Sequence, residues 1–568
     1  GRVGGSARRG RWCWGCDDGP AFTRVPADAL PVVTTTWALS HFPLENRLRF
    51  LHRLDEAAAC RPVAWVPAEG VGVAPPIPAL GDRRASGPQS SPISPHRPFP
   101  TARRGGYRPA MDELTEIFRR AAEHAAAYRR SLPERPVARP VDHAALRAAF
   151  SRPLNRSPAD PLTVVDELAA AAETGLVATA GPRFFGFVVG GALPAATAAE
   201  ILAAGWDQNA FNAALSPAAL AAEEAAGGWL KDLLGIPATA STGFVTGGQA
   251  ANTAGLAAAR QHLLTEAGWD VGHQGLGGAP RLRVVAGEER HATVDRSLRL
   301  LGLGTDCLET VRTDGRGALD TDDLRRVLAS DPDTPAIVCT QAGNVNTGAC
   351  DDLRTACDLT HAHGGWVHVD GAFGLWAAAS PATRRLVDGV ELADSWACDG
   401  HKWLNVPYDC GYAFCSRPAV HADALSYTAS YLTRADGTPA GGADFTAESS
   451  RHARGFATWA ALRELGRDGV AALVNRCCLL ARRFADGLSA AGFEVVNDVV
   501  LNQVLVSFGD DARTDHVVQA VQNDGTCWMG ATTWRGRRLM RISVSGHNTT
   551  EADVDRSIAA IVRLARAS

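Results

Sequence analysis

The sequence predicts an α/β protein with a mostly parallel sheet, followed by a smaller α+β domain. Short apolar strands alternate with helical segments from Val284 to Ala413, which is the pattern of parallel α/β architecture. Within this region, Trp366-Val-His-Val369 has the features of a short buried strand that ends at a carboxylate, Asp370. Residues 526–543 are typical of a hairpin, and residues 551–565 of a closing helix. Because ligands of open α/β sheets bind at the carboxyl ends of strands, the functional residues are expected there.

Composition narrows the classes of function. The chain has 568 residues, of which 46% are apolar, so it can bury a sizeable core. Its net charge of −4 argues against general binding to nucleic acid. A membrane span needs a run of about eighteen apolar residues, and the sequence contains none. The 13 cysteines lie scattered in apolar segments, which favours small core residues and a reducing, cytoplasmic location.

The first part of the chain differs from the rest. Residues 1–110 are rich in Arg, Gly, Pro and Ser, and the first methionine is Met111. We expect residues 1–110 to be a disordered or non-native extension. From Met111 onward the apolar residues of 112–132 fall on one helical face, and residues 142–150 and 161–174 predict two more helices.

A glycine-rich turn precedes the next helix. Gly243 to Thr246 has the features of the end of a strand, and the alanine-rich stretch from Gln249 onward predicts a helix. Glycines at the amino end of a helix expose backbone N–H groups, and the helix dipole favours an anion there. The turn therefore has the features of a phosphate cradle, and an ordinary small-residue turn is the alternative.

A lysine in apolar surroundings is the central chemical signal. Lys402 lies within Asp394–Gly411 and is flanked by tryptophan, leucine and valine residues. Burial favours a neutral amine, which forms a Schiff base with a carbonyl, although a lysine at a strand end also often extends to solvent. Asp370, 32 residues earlier, is a carboxylate suited to keep a pyridine nitrogen protonated. Together, the two residues are the minimal equipment for pyridoxal 5′-phosphate (PLP).

These two stretches, HVDGAFG from His368 and DSWACDGHKWLNVPYDCG from Asp394, closely resemble the group II PLP-dependent amino acid decarboxylases, which include the aromatic-L-amino-acid and glutamate decarboxylases. The resemblance runs from about Met111 to the carboxyl terminus. It implies fold type I, with a seven-stranded, mostly parallel sheet covered by helices on both faces. The implied domains are a helical segment at 111–180 that packs against a partner subunit, a PLP-binding domain at 181–450 and a small domain at 451–568. A homodimer is therefore expected.

The resemblance also implies roles for individual residues. Lys402 would hold PLP as an internal aldimine, Asp370 would bind the pyridine nitrogen, and His291 would stack on the ring; these three are the predicted catalytic residues. Ala372 would cover the opposite ring face. The other predicted cofactor contacts are Gly248 and Gln249 for the phosphate, with Asn252 as a weaker candidate, Ser395 and His401 as further phosphate candidates, and Asn344 and Thr347 near the ring hydroxyl, with Thr340 as a further candidate there.

The loop after the large domain departs from the family pattern. Many family decarboxylases carry a loop tyrosine that protonates the carbanion after CO2 leaves, and residues 433–450 contain none. Phe445 lies near the corresponding place, and family members with phenylalanine there tend toward aldehyde-forming chemistry. Tyr427 and Tyr431 are the alternative proton donors.

The expected function is decarboxylation of an L-amino acid to an amine and CO2. The alternatives are decarboxylation coupled to oxidative deamination, aminotransferase chemistry, and a catalytically inactive PLP-fold binding protein. Phe184, Phe185 and Phe187 favour an aromatic substrate if they line the pocket, although core packing also explains them. Arg541 is a candidate for binding the substrate carboxylate, with a structural salt bridge as the alternative.

Overall fold

The computed structural model describes residues 32–36, 64–68, 111–427 and 441–567. Strands β1 (Val32–Thr36) and β2 (Ala64–Ala68) pair in parallel within a unit that spans residues 1–106. The rest of the predicted amino-terminal extension lies outside the described residues. In the part of the chain that is described, no helix has both the length and the apolar character needed to cross a membrane.

Three helices open the second unit: α1 (Met111–Ser131), α2 (His143–Phe150) and α3 (Pro161–Glu173). Asp142 caps the second helix by accepting two backbone N–H groups, and Asp160 caps the third, whose first residue is a proline. The three predicted helices are thus confirmed to within a residue or two at each end. Phe118 and Leu168 are 56% and 60% exposed, so an apolar face of this segment is uncovered.

The large sheet has seven strands in the order β3-β9-β8-β7-β6-β4-β5. Only β9 runs antiparallel to its neighbours, which confirms the predicted mostly parallel α/β fold. Residues of the central strands are buried on both faces, which explains their continuous apolar runs. The strands are β3 (Ser241–Val245), β4 (Arg283–Gly287), β5 (Leu308–Val311), β6 (Ala336–Gln341), β7 (Trp366–Asp370), β8 (Ser395–Asp399) and β9 (Gly411–Cys415).

Helices cover this sheet and place polar residues at its edge. His291, Asp320 and Asp352 each cap the helix that follows them by accepting backbone N–H groups. The helices are α4 (Pro194–Trp206), α5 (Pro217–Leu234), α6 (Gly248–Glu266), α7 (Val271–Gln274), α8 (Ala292–Leu300), α9 (Thr321–Ala329), α10 (Leu353–His361) and α11 (Pro418–Leu425).

The carboxyl-terminal part is an α+β unit, as predicted. Helix α12 (Arg454–Ala490) has one non-helical residue, Gly466, where two helical stretches join. The predicted hairpin is confirmed, and its two-residue turn uses Arg535 and Gly536, both at positive φ. The remaining elements are β10 (Glu494–Val495), β11 (Gln503–Ser507), α13 (Asp511–Asp524), β12 (Gly530–Trp534), β13 (Arg537–Ser543) and α14 (Glu551–Ala567), with the strands in the antiparallel order β10-β11-β13-β12.

Candidate active site

Lys402 lies in the turn that follows β8, and its backbone is tightly packed. Its Nζ is 2.8 Å from Oδ2 of Asp399, the last residue of β8, and the lysine side chain is 22% exposed. Asn405 donates its backbone N–H to the Lys402 carbonyl oxygen over 3.3 Å. Gly190 packs against the same oxygen so closely that a Cβ atom there would lie 1.8 Å from it. Asn405 and Gly190 therefore hold the backbone of Lys402 from two sides, while its amine lies at the carboxyl end of β8 beside Asp399.

At the amino end of α6, where the anion site is predicted, the structure shows a carboxylate of the chain itself. The backbone N–H of Gly248 donates to Oδ1 of Asp399. A Cβ atom on Gly247 would lie 2.8 Å from Cε1 of His401, so a side chain larger than glycine would not fit this turn. His401 accepts the N–H of Cys410 through Nδ1, and burial lowers the pKa of His401. The helix terminus, a histidine and the nearby lysine amine thus converge on one anionic group, here the carboxylate of Asp399.

The side chain of Gln249 is engaged outside this site. Its side-chain amide donates to Ser297 Oγ over 2.8 Å and to the carbonyl oxygen of Thr293 over 3.3 Å. These bonds fasten the start of α6 to α8. The predicted phosphate contact through the backbone N–H of Gln249 stays a prediction.

Asp370 ends β7 and is almost fully buried. Its Oδ2 accepts the side-chain amide of Asn252 over 3.0 Å, and its Oδ1 accepts the backbone N–H of Ala372 over 3.3 Å. Ala372 borders the anion site, because a Cβ atom on Gly248 would lie 3.5 Å from the Ala372 methyl group. Donors placed around a buried carboxylate replace its lost hydration and fix its orientation. The geometry suits a carboxylate that binds a protonated ring nitrogen.

His291 caps α8 and faces the same space. Its Nδ1 is 2.9 Å from Thr293 Oγ1. Loss of hydration lowers the pKa of His291; the charge on Asp370 opposes this shift, and the charges on Lys402 and Arg541 add to it. The lowered pKa favours the neutral imidazole near pH 7, and these electrostatic effects indicate that His291 lies near Asp370, Lys402 and Arg541.

Asn344 and Thr347 organise the loop that follows β6. Oδ1 of Asn344 accepts the backbone N–H groups of Asn346 and Thr347, and Thr347 Oγ1 accepts the N–H of Ala349. Thr340 lies within β6, where its hydroxyl donates to a backbone carbonyl of β7. These contacts define a supporting loop; the predicted bonds to a cofactor ring hydroxyl stay a prediction.

The phosphate role predicted for Ser395 is wrong. Ser395 begins β8, and its Oγ lies 2.9 Å from Trp366 Nε1 and 2.9 Å from His368 Nδ1. The anion site lies at the other end of this strand, beyond Asp399, and four strand residues span about 13 Å. The hydroxyl of Ser395 therefore points into the core, away from the glycine turn.

Arg541 carries an unpaired charge near the site. It lies on β13, donates to the carbonyl oxygen of Val345 over 3.2 Å, and forms no ion pair with the acidic residues that the structure describes. Burial lowers the pKa of Arg541. A structural salt bridge, the alternative role for this arginine, is absent among those residues. A half-buried guanidinium without an acidic partner is suited to receive a carboxylate.

The three phenylalanines predicted to line a pocket separate into different environments. Phe185 is a core residue that packs edge-on against Phe484, so core packing, the alternative to a pocket role, holds for it. Phe184 is also buried, stacked on Trp528 at 4.9 Å between ring centroids. Phe187 alone is open, with 64% exposure, a positive φ and a 5.3 Å centroid distance to Trp528.

Phe445, in the described part of the loop, lies outside the cluster around Lys402. Phe445 packs against His421 at 5.1 Å between ring centroids, and its carbonyl oxygen approaches Gly243 in the middle of β3. The structure therefore does not bring Phe445 to the lysine of the same chain. Tyr427 is exposed at the end of a described segment, and Tyr431 lies outside the described residues.

Sequence reasoning underrated three polar residues at the site. Asn252 was only a weak candidate, yet it donates to Asp370. Asp399 had no assigned role, yet it contacts both Lys402 and Gly248. Gln341 pairs with Asp370 across the carboxyl ends of β6 and β7, and the register of neighbouring strands is the signal that identifies it.

The lysine, the buried carboxylate, the glycine turn at a helix terminus and the neutral histidine together fit PLP. The chain belongs to the pyridoxal-dependent decarboxylases: the family model of the pyridoxal-dependent decarboxylase conserved domain matches residues 146–509. The protein is accordingly a PLP-dependent carboxy-lyase that acts on an amino acid. A family model of uncharacterized proteins conserved in bacteria matches residues 19–94.

Known proteins of several specificities are similar to this chain. An aromatic-L-amino-acid decarboxylase of Bacillus atrophaeus is 26% identical, with 78% of this chain and 93% of the relative covered. A phenylacetaldehyde synthase of a Rosa hybrid cultivar is 25% identical, with 76% and 89% covered. The acidic amino acid decarboxylase GADL1 of Bos taurus is 32% identical over 40% of this chain and 45% of its own length.

The fold is also found in solved structures. The Oryza sativa TDC structure with PLP and tryptamine superposes with a TM-score of 0.76 at 23% identity, covering 81% of this chain and 99% of that one. At this identity the likeness establishes the fold, which is the fold type I architecture predicted above.

Proposed function

We propose that this chain decarboxylates an aromatic L-amino acid to the corresponding amine and CO2. The observation that carries the proposal is the convergence of Lys402, Asp370 and His291 at the carboxyl edge of the sheet, beside the anion site. In this proposal Lys402 Nζ is the attachment point of the cofactor, Asp370 meets the ring nitrogen, and His291 and Ala372 cover the two ring faces. Gly248, Gln249 and His401 hold the phosphate.

When bound, PLP supplies an electron sink for the bond between Cα and the carboxylate. Arg541 attracts the substrate carboxylate, and the ring of neutral His291 restrains the substrate from the opposite side without adding charge. Lys402 starts in an ion pair with Asp399, so its amine leaves that pair to react and afterwards returns to it. Exclusion of water around the carboxylate favours loss of CO2, because the negative charge becomes dispersed as the bond breaks.

The aromatic preference is supported by the rings beside the site. Phe187 is open, and with Phe184 and Trp528 it forms an aromatic wall. The segment of Phe187 leads directly to Gly190, which touches the Lys402 carbonyl. A flat apolar side chain fits against such a wall with favourable ring contacts. Two of the similar proteins described above are named for aromatic chemistry.

A second candidate function is decarboxylation coupled to oxidative deamination, in which O2 and water are consumed and an aldehyde, ammonia and H2O2 are formed. The observation that favours it is the lack of a tyrosine in residues 441–450, the described part of the loop that contains Phe445. A phenylacetaldehyde synthase is among the relatives.

We also propose that the chain works as a homodimer. Phe118 of α1 and Leu168 of α3 expose apolar side chains on helices that pack against each other. Phe187 and Tyr408 are exposed as well. A second copy of the chain would remove this apolar area from water.

Product analysis tests these proposals. The purified chain, supplied with PLP, is offered a panel of aromatic, acidic and basic L-amino acids while CO2, amine, aldehyde and H2O2 are measured. CO2 with an equal amount of amine from an aromatic amino acid is the expected result. Aldehyde with H2O2 would favour the second candidate, and release of CO2 only from an acidic amino acid would refute the aromatic preference. A chain that binds PLP but releases no CO2 would support the alternative of an inactive binding protein.

A further inference from the structure

A chain of buried polar side chains leads from the amino ends of β7 and β8 to Asp370. Trp366 Nε1 lies 2.9 Å from Ser395 Oγ, and Ser395 Oγ lies 2.9 Å from His368 Nδ1. His368 Nε2 lies 2.9 Å from Asn252 Oδ1, and Asn252 Nδ2 lies 3.0 Å from Asp370 Oδ2. All five residues are almost completely shielded from solvent. The mechanism described above uses only the last of them.

The residues at the two ends of this series of hydrogen bonds determine which atom donates in every bond between them. The indole N–H of Trp366 can only donate, so Ser395 Oγ accepts from it and turns its own hydrogen toward His368 Nδ1. At the other end the carboxylate of Asp370 only accepts, so Asn252 presents its NH2 group there and its Oδ1 to His368. His368 therefore carries its hydrogen on Nε2.

His368 suits this role because it stays neutral. Complete burial lowers the pKa of His368 to about 4, so at neutral pH one ring nitrogen donates and the other accepts. The fold makes room for this ring with a glycine of α6, because a Cβ atom on Gly255 would lie 2.5 Å from His368 Nδ1. A histidine tautomer is set by the bond that its other nitrogen makes, and here that bond comes from Ser395.

We propose that Trp366, Ser395, His368 and Asn252 form a positioning relay that holds the Asp370 carboxylate in the orientation needed to bind the cofactor ring nitrogen. The inference rests on the proposed role of Asp370. Without the relay, the Asn252 amide is held only by Asp370 itself and by Thr293 Oγ1, which accepts from Asn252 Nδ2 over 3.0 Å, so the amide and the carboxylate that it binds are less firmly oriented. A purely structural role predicts instead that the four residues affect stability alone.

A second buried serine–histidine pair in the same protein provides a matched control for this relay. His421 is also fully buried, its pKa is also lowered to about 4 by burial, and its Nδ1 contacts Ser241 Oγ at 2.8 Å. That pair lies at the amino end of β3, away from Asp370. Replacing Ser241 or His421 therefore removes an equivalent serine–histidine bond without touching the relay.

The test compares Ser395→Ala and His368→Phe with Ser241→Ala and His421→Phe in the full chain. PLP is titrated into each cofactor-free protein, and the dissociation constant and the pH dependence of the visible absorbance of bound PLP are measured. We expect Ser395→Ala to raise the dissociation constant about threefold and His368→Phe about tenfold, the latter equal to about 1.4 kcal/mol. Both relay variants should shift the pH at which the absorbance changes, and both control variants should behave like the parent.

Repeating the relay substitutions in an Asp370→Asn background separates positioning from general loosening. If the relay acts through Asp370, His368→Phe has no further effect on the dissociation constant in that background. An equal effect in both backgrounds, or values within twofold of the parent for both relay variants, would overturn the proposal. Ser395→Ala removes a single oxygen atom, so it keeps the test valid if His368→Phe fails to fold. Failure of the unmodified chain to bind PLP would refute the site assignment itself, which is a different outcome.

Discussion

Gly190→Ala is expected to disable the enzyme through a single methyl group. Gly190 contacts the backbone of Lys402, and a Cβ atom there would lie 1.8 Å from the lysine carbonyl oxygen and 2.8 Å from Asn405 Nδ2. Gly190 does not have the positive φ that would itself penalise alanine. The substitution therefore tests the contacts of the added methyl group and not the backbone conformation.

The size of the effect follows from the distances. A carbon and an oxygen atom in ordinary contact are roughly 3.4 Å apart, so the Lys402 carbonyl would have to withdraw by roughly 1.5 Å. Asn405 resists this movement, because its side-chain amide also donates to the carbonyl oxygens of Trp403 and Ser545, each over 2.9 Å. Overpacking of this kind costs about 1–3 kcal/mol of stability, and misplacement of a reacting group by 1 Å costs about 100-fold in rate.

The assay measures CO2 release with the best substrate from the panel, together with PLP affinity and thermal unfolding. Gly228→Ala is the matched control, because Gly228 lies within α5 and a Cβ atom there meets nothing within 4 Å. The control should retain full activity and gain about 0.5–1 kcal/mol of stability from its higher helix propensity. Gly190→Ala with a rate within threefold of the parent would show that the position of Lys402 is not set by this contact.

Three further predictions follow from the structure. Lys402→Ala abolishes CO2 release but leaves the thermal unfolding temperature within a few degrees, as checked by gas release and circular dichroism; retained turnover would remove the lysine from the mechanism. Because burial lowers the pKa of His421 to about 4 from its ordinary 6.5, the unfolded chain binds a proton that the folded chain does not, so this residue makes the protein lose stability as the pH falls from 6.5 to about 4. In urea unfolding, His421→Phe should therefore gain up to roughly 3 kcal/mol relative to the parent between pH 7 and pH 4, and a pH-independent difference would contradict the argument. Phe118→Glu combined with Leu168→Glu should convert a dimer to a monomer in analytical ultracentrifugation, and an unchanged mass would place the interface elsewhere.

The alternation of strands and helices in the sheet region could be predicted from the sequence. Strands and helices differ in length, in the period of their apolar residues and in the glycines that flank them. The strand that ends at Asp370 and the hairpin with Arg535 and Gly536 both follow from local patterns, and the structure has both. The break in α12 follows from a local pattern as well, because Gly466 is typical of a helix end and has non-helical backbone angles; the second helical stretch, which continues to Ala490, was not predicted.

Site residues could be predicted when they lie at a strand end or in the turn just after it, as Asp370 and Lys402 do. The error at Ser395 has a physical cause: a five-residue strand has two ends about 13 Å apart, and the beginning of β8 was not located from the sequence. Phe185 and Phe187 are separated by one residue, yet one is buried and the other open, because the positive φ of Phe187 breaks the local pattern. Such a turn depends on contacts made far along the chain.

The even-numbered and odd-numbered residues of strand β7 face opposite sides of the sheet. Trp366, His368 and Asp370 point to the face covered by α6, while Val367 and Val369 belong to the large apolar core on the opposite face. The even-numbered residues include His368 and Asp370 of the series of polar hydrogen bonds, and the odd-numbered residues bury apolar side chains. A change at an odd position of this strand is therefore expected to disturb the apolar core, whereas a change at an even position disturbs both the packing against α6 and the polar residues that lead to Asp370.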